Sequence, residues 1–332
     1  LVATDVRRAT VRSRARLDYA GVQRAIDAET AEEPLSLLRE IGLRREELER
    51  TRGGVSLNVP EQEVVRREDG RYALEYRAPL PAEGWNAQIS LLTGLAGAEL
   101  MLGAGTGVLR TLPAAPEGAV ERLRRVARSL GVTWPETMPY AELVRALDPA
   151  DTQHAAFLQE CTSLLRGAGY TVFDRDRPTV HPRPADPGHS ALAAPYAHCT
   201  APLRRLVDRY SLELCLAAAS GTDPPEWVRA ALDALPAEME RGARRAAEAE
   251  RECVDLVEAA LLRDRIGEVF DAYVVDVVPS RPTAGTVHLY DPAVVGRIEG
   301  DLDGPPLPLG RRMRVRVIQA DPGRDKVWFA PA

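Results

Sequence analysis

Closely spaced cysteines are missing. Cys161, Cys199, Cys215 and Cys253 form no C-x-x-C pair, which excludes a zinc knuckle and a redox dithiol, and scattered thiols of this kind fit a reducing cytoplasm. Long apolar runs are missing too: the longest, Ile89 to Leu102, has 14 residues and contains Glu99. A membrane-spanning helix requires about 20, so no membrane association is expected. No repeat of about 20 to 50 residues is visible, which excludes a solenoid. Net positive charge is absent as well. With 43 Lys and Arg against 49 Asp and Glu the balance is −6, so any affinity for a polyanion must reside in local clusters. Lys326 is the single lysine, and almost every cation is therefore a planar guanidinium suited to bidentate phosphate contacts, a bias that a GC-rich coding sequence produces as readily. No charged-then-apolar leader opens the chain, and the first residue, Leu1, reads as a trimmed N-terminus.

What is present is the balance of a soluble globular protein, 45% apolar and 28% charged over 332 residues, enough for about two domains. Tyr19, Val22 and Ile26 at helical spacing predict a short amphipathic helix within Leu17 to Asp27, and a second covers Leu35 to Glu49. Val55, Leu57 and Val59 alternate, as do Tyr72, Leu74 and Tyr76, which predicts an antiparallel ribbon across a Glu68-Asp69-Gly70 turn. Helices then dominate: Asn86 to Leu102, Ala119 to Leu130, Tyr140 to Leu147, Asp151 to Arg166, Pro202 to Ala219, Glu226 to Leu235 and Pro236 to Leu262. This body is α+β. After Arg265 the short β-rich runs Tyr273 to Val278, Thr286 to Leu289, Arg297 to Glu299, Met313 to Ile318 and Val327 to Phe329 predict a small barrel of about five strands. The expected division is a body over residues 1–264 and a barrel over 265–332.

The segment Tyr196-Ala197-His198-Cys199-Thr200-Ala201-Pro202-Leu203-Arg204-Arg205-Leu206-Val207-Asp208 is the most informative. Thr200 or Ala201 can cap a helix, Pro202 suits its first turn, and Leu203, Leu206, Val207, Tyr210 and Leu214 form an apolar stripe. Arg204 and Arg205 then fall in the first turn, where cations oppose the helix dipole unless an anion such as phosphate joins them. The plainer alternative pairs Arg204 with Asp208 and leaves Arg205 solvated.

This segment resembles the Tyr-x-His-Phe-Thr-Ser-Pro-Ile-Arg-Arg-Tyr-x-Asp signature of the RNB domain, the catalytic domain of the ribonuclease II and ribonuclease R family. Arg12 to Tyr19, Arg52-Gly53-Gly54, Pro60-Glu61, Arg110-Thr111-Leu112-Pro113 with Pro116, and Ala249-Glu250-Arg251 follow the family's order, so the resemblance covers essentially the whole chain. The last part, Gly267 to Phe329, resembles the S-one-type OB-fold RNA-binding module that ends these enzymes. The resemblance implies an RNB body followed by a five-stranded OB barrel. It also implies processive 3′-to-5′ hydrolysis of single-stranded RNA to nucleoside 5′-monophosphates with a divalent cation, Mg2+. Tyr19 matches the tyrosine that contacts the terminal base, Arg204 the arginine that grips a phosphate beside the cleaved bond, and Glu250 a glutamate close to the 3′-terminal nucleotide. Arg204 and Glu250 are thus the candidate catalytic residues, and Tyr19 and Arg205, the motif neighbour of Arg204, are candidate RNA contacts. Arg311, Arg312, Arg314 and Arg316 flank late barrel strands, where OB folds track nucleic-acid backbones; the first three are candidate RNA contacts.

Departures accompany the likeness. The family holds its metal through an Asp-x-Asp-Asp cluster that this sequence lacks; Asp174-Arg175-Asp176 and Asp301-x-Asp303 are the nearest imitations and read as solvated loops. The metal ligands are therefore expected upstream, the chain reads as an N-terminally truncated fragment, and no metal-ligating residue is assigned. Trp85-Asn86 stands where the family has an acidic pair, and Leu212-Glu213 where it has His-Arg, which suggests a divergent, bacterial branch. The rival reading is a catalytically inactive RNA-binding or regulatory protein that keeps the channel. Gly94, Gly97 and Ala98 are expected to allow close helix packing, and the basic helix face of Arg122, Arg124, Arg125 and Arg128 to be solvated.

Overall fold

Two of the helices begin where an aspartate side chain accepts from their free N–H groups. In the computed structural model, which describes residues 3–68, 70, 72–165, 167–289, 291–324 and 326–332, Asp18 accepts from Gly21 N–H and opens α1 (Tyr19–Asp27). Next come α2 (Glu33–Arg52), β1 (Glu61–Arg66), β2 (Tyr72–Arg77), α3 (Pro81–Ala104), β3 (Thr106–Thr111), α4 (Ala119–Ser129), α5 (Tyr140–Ala146) and α6 (Thr152–Cys161). Asp151 caps α6 by accepting from Gln153 and His154 N–H. The chain continues through β4 (Gly169–Asp174), β5 (Gly188–His189), β6 (Ala194–Pro195), α7 (Leu206–Ser220), α8 (Glu226–Ala231) and α9 (Leu235–Leu262). It ends in β7 (Val269–Val278), β8 (Arg281–Leu289), β9 (Val295–Glu299), β10 (Arg312–Gln319) and β11 (Trp328–Pro331).

Two compact units result, each assembled from three stretches of chain. The first comprises Leu1–Ser56, Pro79–Pro116 and Leu164–Ala243; the second comprises Leu57–Ala78, Glu117–Ser163 and Arg244–Ala332. In the first unit α3 lies against α7 and β3, and β3 pairs antiparallel with β4. Ala98, Met101, Val108, Leu109, Phe173, Val207 and Leu214 make its core. Gly94 is required there, because a methyl group would overlap the Tyr196 ring and the Ala197 carbonyl, and at Gly97 it would sit 2.7 Å from Cys199 Sγ. The expected close packing at this helix is therefore real. With 24 residues α3 is long and apolar enough to cross a membrane, contrary to the expectation drawn from the 14-residue run, yet its Ala98 and Met101 are fully buried in the core just described.

In the second unit β7, β8, β9, β11 and β10 close a barrel in which β9 and β11 run parallel and the other neighbours antiparallel. Alternation along β10 turns Val315 and Val317 inward and Arg312, Arg314 and Arg316 outward. Phe270, Val274, Val287, Ile298 and Phe329 fill the interior, and Leu74 of β2 with Ala259 and Leu262 of α9 joins the same core. The predicted five-stranded OB barrel is present.

Two predicted elements move. The ribbon strand is β1, not Val55 to Val59: residues 54–60 run irregularly, with Val55 N–H donating to Ala191 O, and the strand starts after Pro60. Asp69, in the turn expected between the two strands, lies outside the described residues, as does Arg166 at the end of the predicted helix there. The helix predicted from Pro202 begins only at Leu206, with Pro202 to Arg204 in a turn, so Leu203 is fully exposed and Leu206 largely so instead of buried. The strands β3 and β4 are additional to the sequence reading; Gly105 to Gly107 carries the chain from the end of α3 into β3 and makes no phosphate cradle.

Gly94 and Gly103 share one helix but not one environment, since nothing lies within 4 Å of a Cβ added at Gly103. Gly94→Ala should cost about 1 to 3 kcal/mol through overpacking, and Gly103→Ala should add roughly 0.5 to 1 kcal/mol from helix propensity. Urea unfolding midpoints shifting in opposite directions would establish the contrast.

Candidate functional site

The turn before α7 is organised by one carboxylate. Asp208 is fully buried; its Oδ1 accepts from Ala201 N–H at 2.7 Å and from Arg205 Nη2 at 2.8 Å, and its Oδ2 accepts from Arg205 Nε at 2.8 Å. Arg205 also reaches Thr200 Oγ1 at 3.4 Å. The anion among the free N–H groups is thus supplied by the chain itself, and neither Thr200 nor Ala201 caps the helix. Arg205, not Arg204, is the residue paired with Asp208. Arg204 is exposed in the turn, and among the described residues its guanidinium has no hydrogen-bond or ion-pair partner.

Beneath this turn lies an aromatic row. The Tyr170 hydroxyl shares a 2.8 Å hydrogen bond with His198 Nδ1, the Tyr196 ring meets His198 edge-on with centroids 5.5 Å apart, and His189 follows at 6.2 Å from Tyr196. Burial, reinforced by the Arg205 and Arg110 guanidiniums, pushes the His198 imidazole down to about 4, so at neutral pH it is an uncharged packing residue. Arg110 lies over the Tyr170 ring at 4.8 Å from its centroid. The sequence reading named Arg110 without giving it a role, and it passed over Tyr170. Their signal was the short β-rich pair Val108-Leu109 and Tyr170-Thr171-Val172-Phe173, each beside glycine.

The remaining candidates separate. Tyr19 is half-exposed at the start of α1 and accepts from Asn86 Nδ2 at 2.9 Å, while Trp85 is buried against α2 at Gly42. The substituted acidic pair has become a core aromatic and a positioning amide. Likewise Glu213 now accepts two hydrogen bonds from Arg8, at 2.7 and 2.8 Å. Tyr19, Arg204 and Arg205 belong to the first unit; Glu250, Arg311, Arg312 and Arg314 belong to the second. Glu250 is exposed on α9 at a cavity of about 420 Å³ that Gln62, Asp255 and Glu258 also line. Glu258 is buried, accepts from Gln62 and Val295 N–H, and is raised by burial to about 7. On the barrel, Arg312 donates to Asp271 at 2.5 Å, whereas Arg311 and Arg314 are exposed and make no side-chain hydrogen bond or ion pair among the described residues. On α4, Arg122 is bound to Glu160 and Ser163, and Arg124 stacks on Trp134, so that face is partly committed to internal contacts.

A divalent metal does not fit these side chains. Among the described residues no group of three or more His, Cys, Asp or Glu is placed to hold an ion. Asp174 is not a solvated loop residue, as its sequence context suggested. It is buried, and although burial alone would raise its carboxyl, Arg177, the Asp176 N–H, Arg229 and Thr106 hold it below the usual range. Its charge is neutralised by arginine, which leaves no vacancy for a cation.

The signature turn in a helical unit followed by a closed barrel matches the RNB and S1 domain arrangement, and the comparisons agree. Residues 1–219 match the RNB domain, and residues 268–332 match the RNase II-type exonuclease C-terminal S1 domain. The chain belongs to the RNB family. It is 28% identical over 244 residues to ribonuclease R of Escherichia coli (strain K12), a match covering 64% of this chain and only 28% of that protein. Among solved structures it resembles Mycoplasma genitalium RNase R in complex with ribose methylated single-stranded RNA, with TM-score 0.76 and 14% identity over 95% of this chain and 53% of that one. It also resembles yeast Ssd1, a pseudonuclease, with TM-score 0.60 and 16% identity over 84% of this chain and 35% of that one. Likenesses at such low identity establish the fold.

His198 carries a pH signature. Because its pKa is lower folded than unfolded, the native state takes up fewer protons between about pH 6.5 and 4, so its stabilising contribution is complete above that window and is lost as pH falls through it. The loss should reach about 1 to 3 kcal/mol, allowing for partial exposure. Relative to His198→Gln, wild-type stability should fall as pH drops from 7 to 4 in urea unfolding; a constant gap between the two would contradict the assignment.

Proposed function

We infer that this chain is the strand-gripping portion of a 3′-to-5′ exoribonuclease that processively hydrolyses single-stranded RNA to nucleoside 5′-monophosphates in the cytoplasm, where its four thiols stay reduced. The observation that carries this reading is the division of labour in the signature turn: Arg205 is spent on buried Asp208, and Arg204 is held outward with its planar fork open. Arg204 binds a phosphate of the strand, bidentately and with charge assistance. Tyr19, steadied by Asn86, offers a ring to the terminal base, and Arg205 acts through the shape of the turn. In the second unit Glu250 approaches the 3′-terminal nucleotide, and Arg311 and Arg314, with Arg312 held by Asp271, attract the backbone as the strand arrives. Functionally the body spans residues 1–264 and the RNA-binding barrel 265–332. A divalent cation, Mg2+, supplies water activation in such enzymes, and that requires converging carboxylates beyond those the described residues assemble. Activity is therefore assigned to the protein that carries both.

The missing carboxylate group and the likeness to a pseudonuclease favour a second reading, an RNA-binding protein without catalysis. One assay separates the readings. The purified 332-residue chain with Mg2+ should bind single-stranded RNA and release no nucleoside monophosphate, and the full-length protein should release it. RNA left intact by both leaves the second reading; metal-dependent release by the 332 residues alone would show the carboxylate argument to be wrong.

The two arginines should respond differently in the active protein. Arg204→Lys keeps the charge and loses the fork, so roughly 1.5 to 3 kcal/mol of transition-state stabilisation should vanish, about a ten- to hundredfold drop in single-turnover rate. Arg205→Lys breaks the two-pronged hold on Asp208 and should show mainly in the thermal melt. Equal rate losses would place the phosphate on the wrong arginine.

A further inference from the structure

We propose that Arg110 is a second phosphate-binding residue of the first unit, taking a phosphodiester of the same single-stranded RNA about the Tyr170–His198 pair. The inference rests on the reading of the chain as an RNA-binding protein and extends it to a residue outside the signature turn.

Its backbone is fixed from two sides. Arg110 stands opposite Tyr170 in the β3–β4 register, and its N–H donates to Tyr196 O at 2.8 Å. The side chain is therefore delivered to one place, half-buried over the Tyr170 ring. Stacking leaves the edge of a guanidinium open, because its N–H donors lie in its own plane and point away sideways from the ring beneath. Other part-buried arginines of this unit spend those donors internally: Arg177 on Asp174, Arg229 on Asp176, Arg205 on Asp208. Arg110 does not; among the described residues no side chain or carbonyl accepts from its guanidinium.

The charge count points the same way. Two guanidiniums, Arg110 and Arg205, act on the Tyr170–His198 pair, and a single carboxylate, Asp208, faces them. That carboxylate is already engaged by Arg205 and by Ala201 N–H. His198 is uncharged and His189 Nδ1 is buried without a partner, so neither offers a counter-charge. One half-buried positive charge is thus left without an anion beside an aromatic edge, the combination that a nucleic-acid strand satisfies through phosphate and stacked base.

The test uses the 332-residue chain and a 5′-labelled single-stranded RNA, with Kd measured over a series of KCl concentrations. Arg110→Gln should weaken binding about tenfold and lower the slope of log Kd against log[KCl] by about 0.7, the value for one phosphate on a single strand. Arg110→Lys, which retains the charge, should keep the slope and lose less affinity. Unchanged affinity and slope in Arg110→Gln overturn the proposal. In the wild-type chain, RNA should also protect Arg110 from arginine-selective modification, read by peptide mass spectrometry, which decides the matter if the glutamine variant does not fold; no protection overturns it. Equal protection by inorganic phosphate would mean a site for a free phosphate and would overturn the strand contact. Wild-type chain that binds no RNA fails the proposed function itself, whereas wild-type binding with indifferent Arg110 variants fails this inference alone.

Discussion

The buried carboxylate of Asp208 is the constraint on which the signature turn depends. A fully buried charge is tolerated only when its oxygens are satisfied, and here a backbone N–H and the two N–H donors along one edge of Arg205 do so within eight residues of sequence. The consequence propagates outward. With Arg205 drawn in and Ala201 tied down, the chain must turn between them, Leu203 is left on the surface, and Arg204 has no neighbour to fold back upon. An exposed leucine and an unpaired arginine are both disfavoured locally, and both follow from one interior ion pair.

The same chemistry recurs at other acids of this chain. Asp174 is surrounded by Arg177 and Arg229, Asp233 is held by His181 and Arg177, and Glu213 is met by Arg8. A protein whose cations are nearly all guanidiniums has many planar donors available, and its acids become structural anchors in place of ligands. Two buried acids are satisfied without arginine: Glu49 accepts from Ser56 and Gln88, and Glu258 from Gln62 and Val295 N–H, its carboxyl raised by burial.

Long, strongly periodic elements were legible in the sequence. α1, α2, α4 and α9 fall within a few residues of their expected limits, and the barrel strands follow the alternation of small and branched residues. The start of α7 was not legible, because Pro202 and the apolar spacing of Leu203 to Leu214 describe a helix as well as a turn followed by one. Only the reach of Arg205 to Asp208, three residues away, decides between them. The pairing of β3 with β4 was hidden for another reason: about sixty residues separate the strands, and each is too short to declare itself without its partner. Arg110 is brought over Tyr170 only by that pairing, whereas the turn that carries Arg204 lies within one contiguous motif.

The interleaving of the two compact units sets an order of events during synthesis. Each unit is built from an early, a middle and a late stretch, so neither closes its core until most of the polypeptide has left the ribosome. Leu74 of the early hairpin shares its core with Ala259 and Leu262 of α9 and with the barrel strands, all translated roughly 190 to 250 residues later. Nascent chains of this protein therefore present unpaired apolar surface for a long interval, and a premature stop within the barrel strips the roof from a hairpin translated long before. The start of the barrel is therefore not a seam along which the folded molecule comes apart.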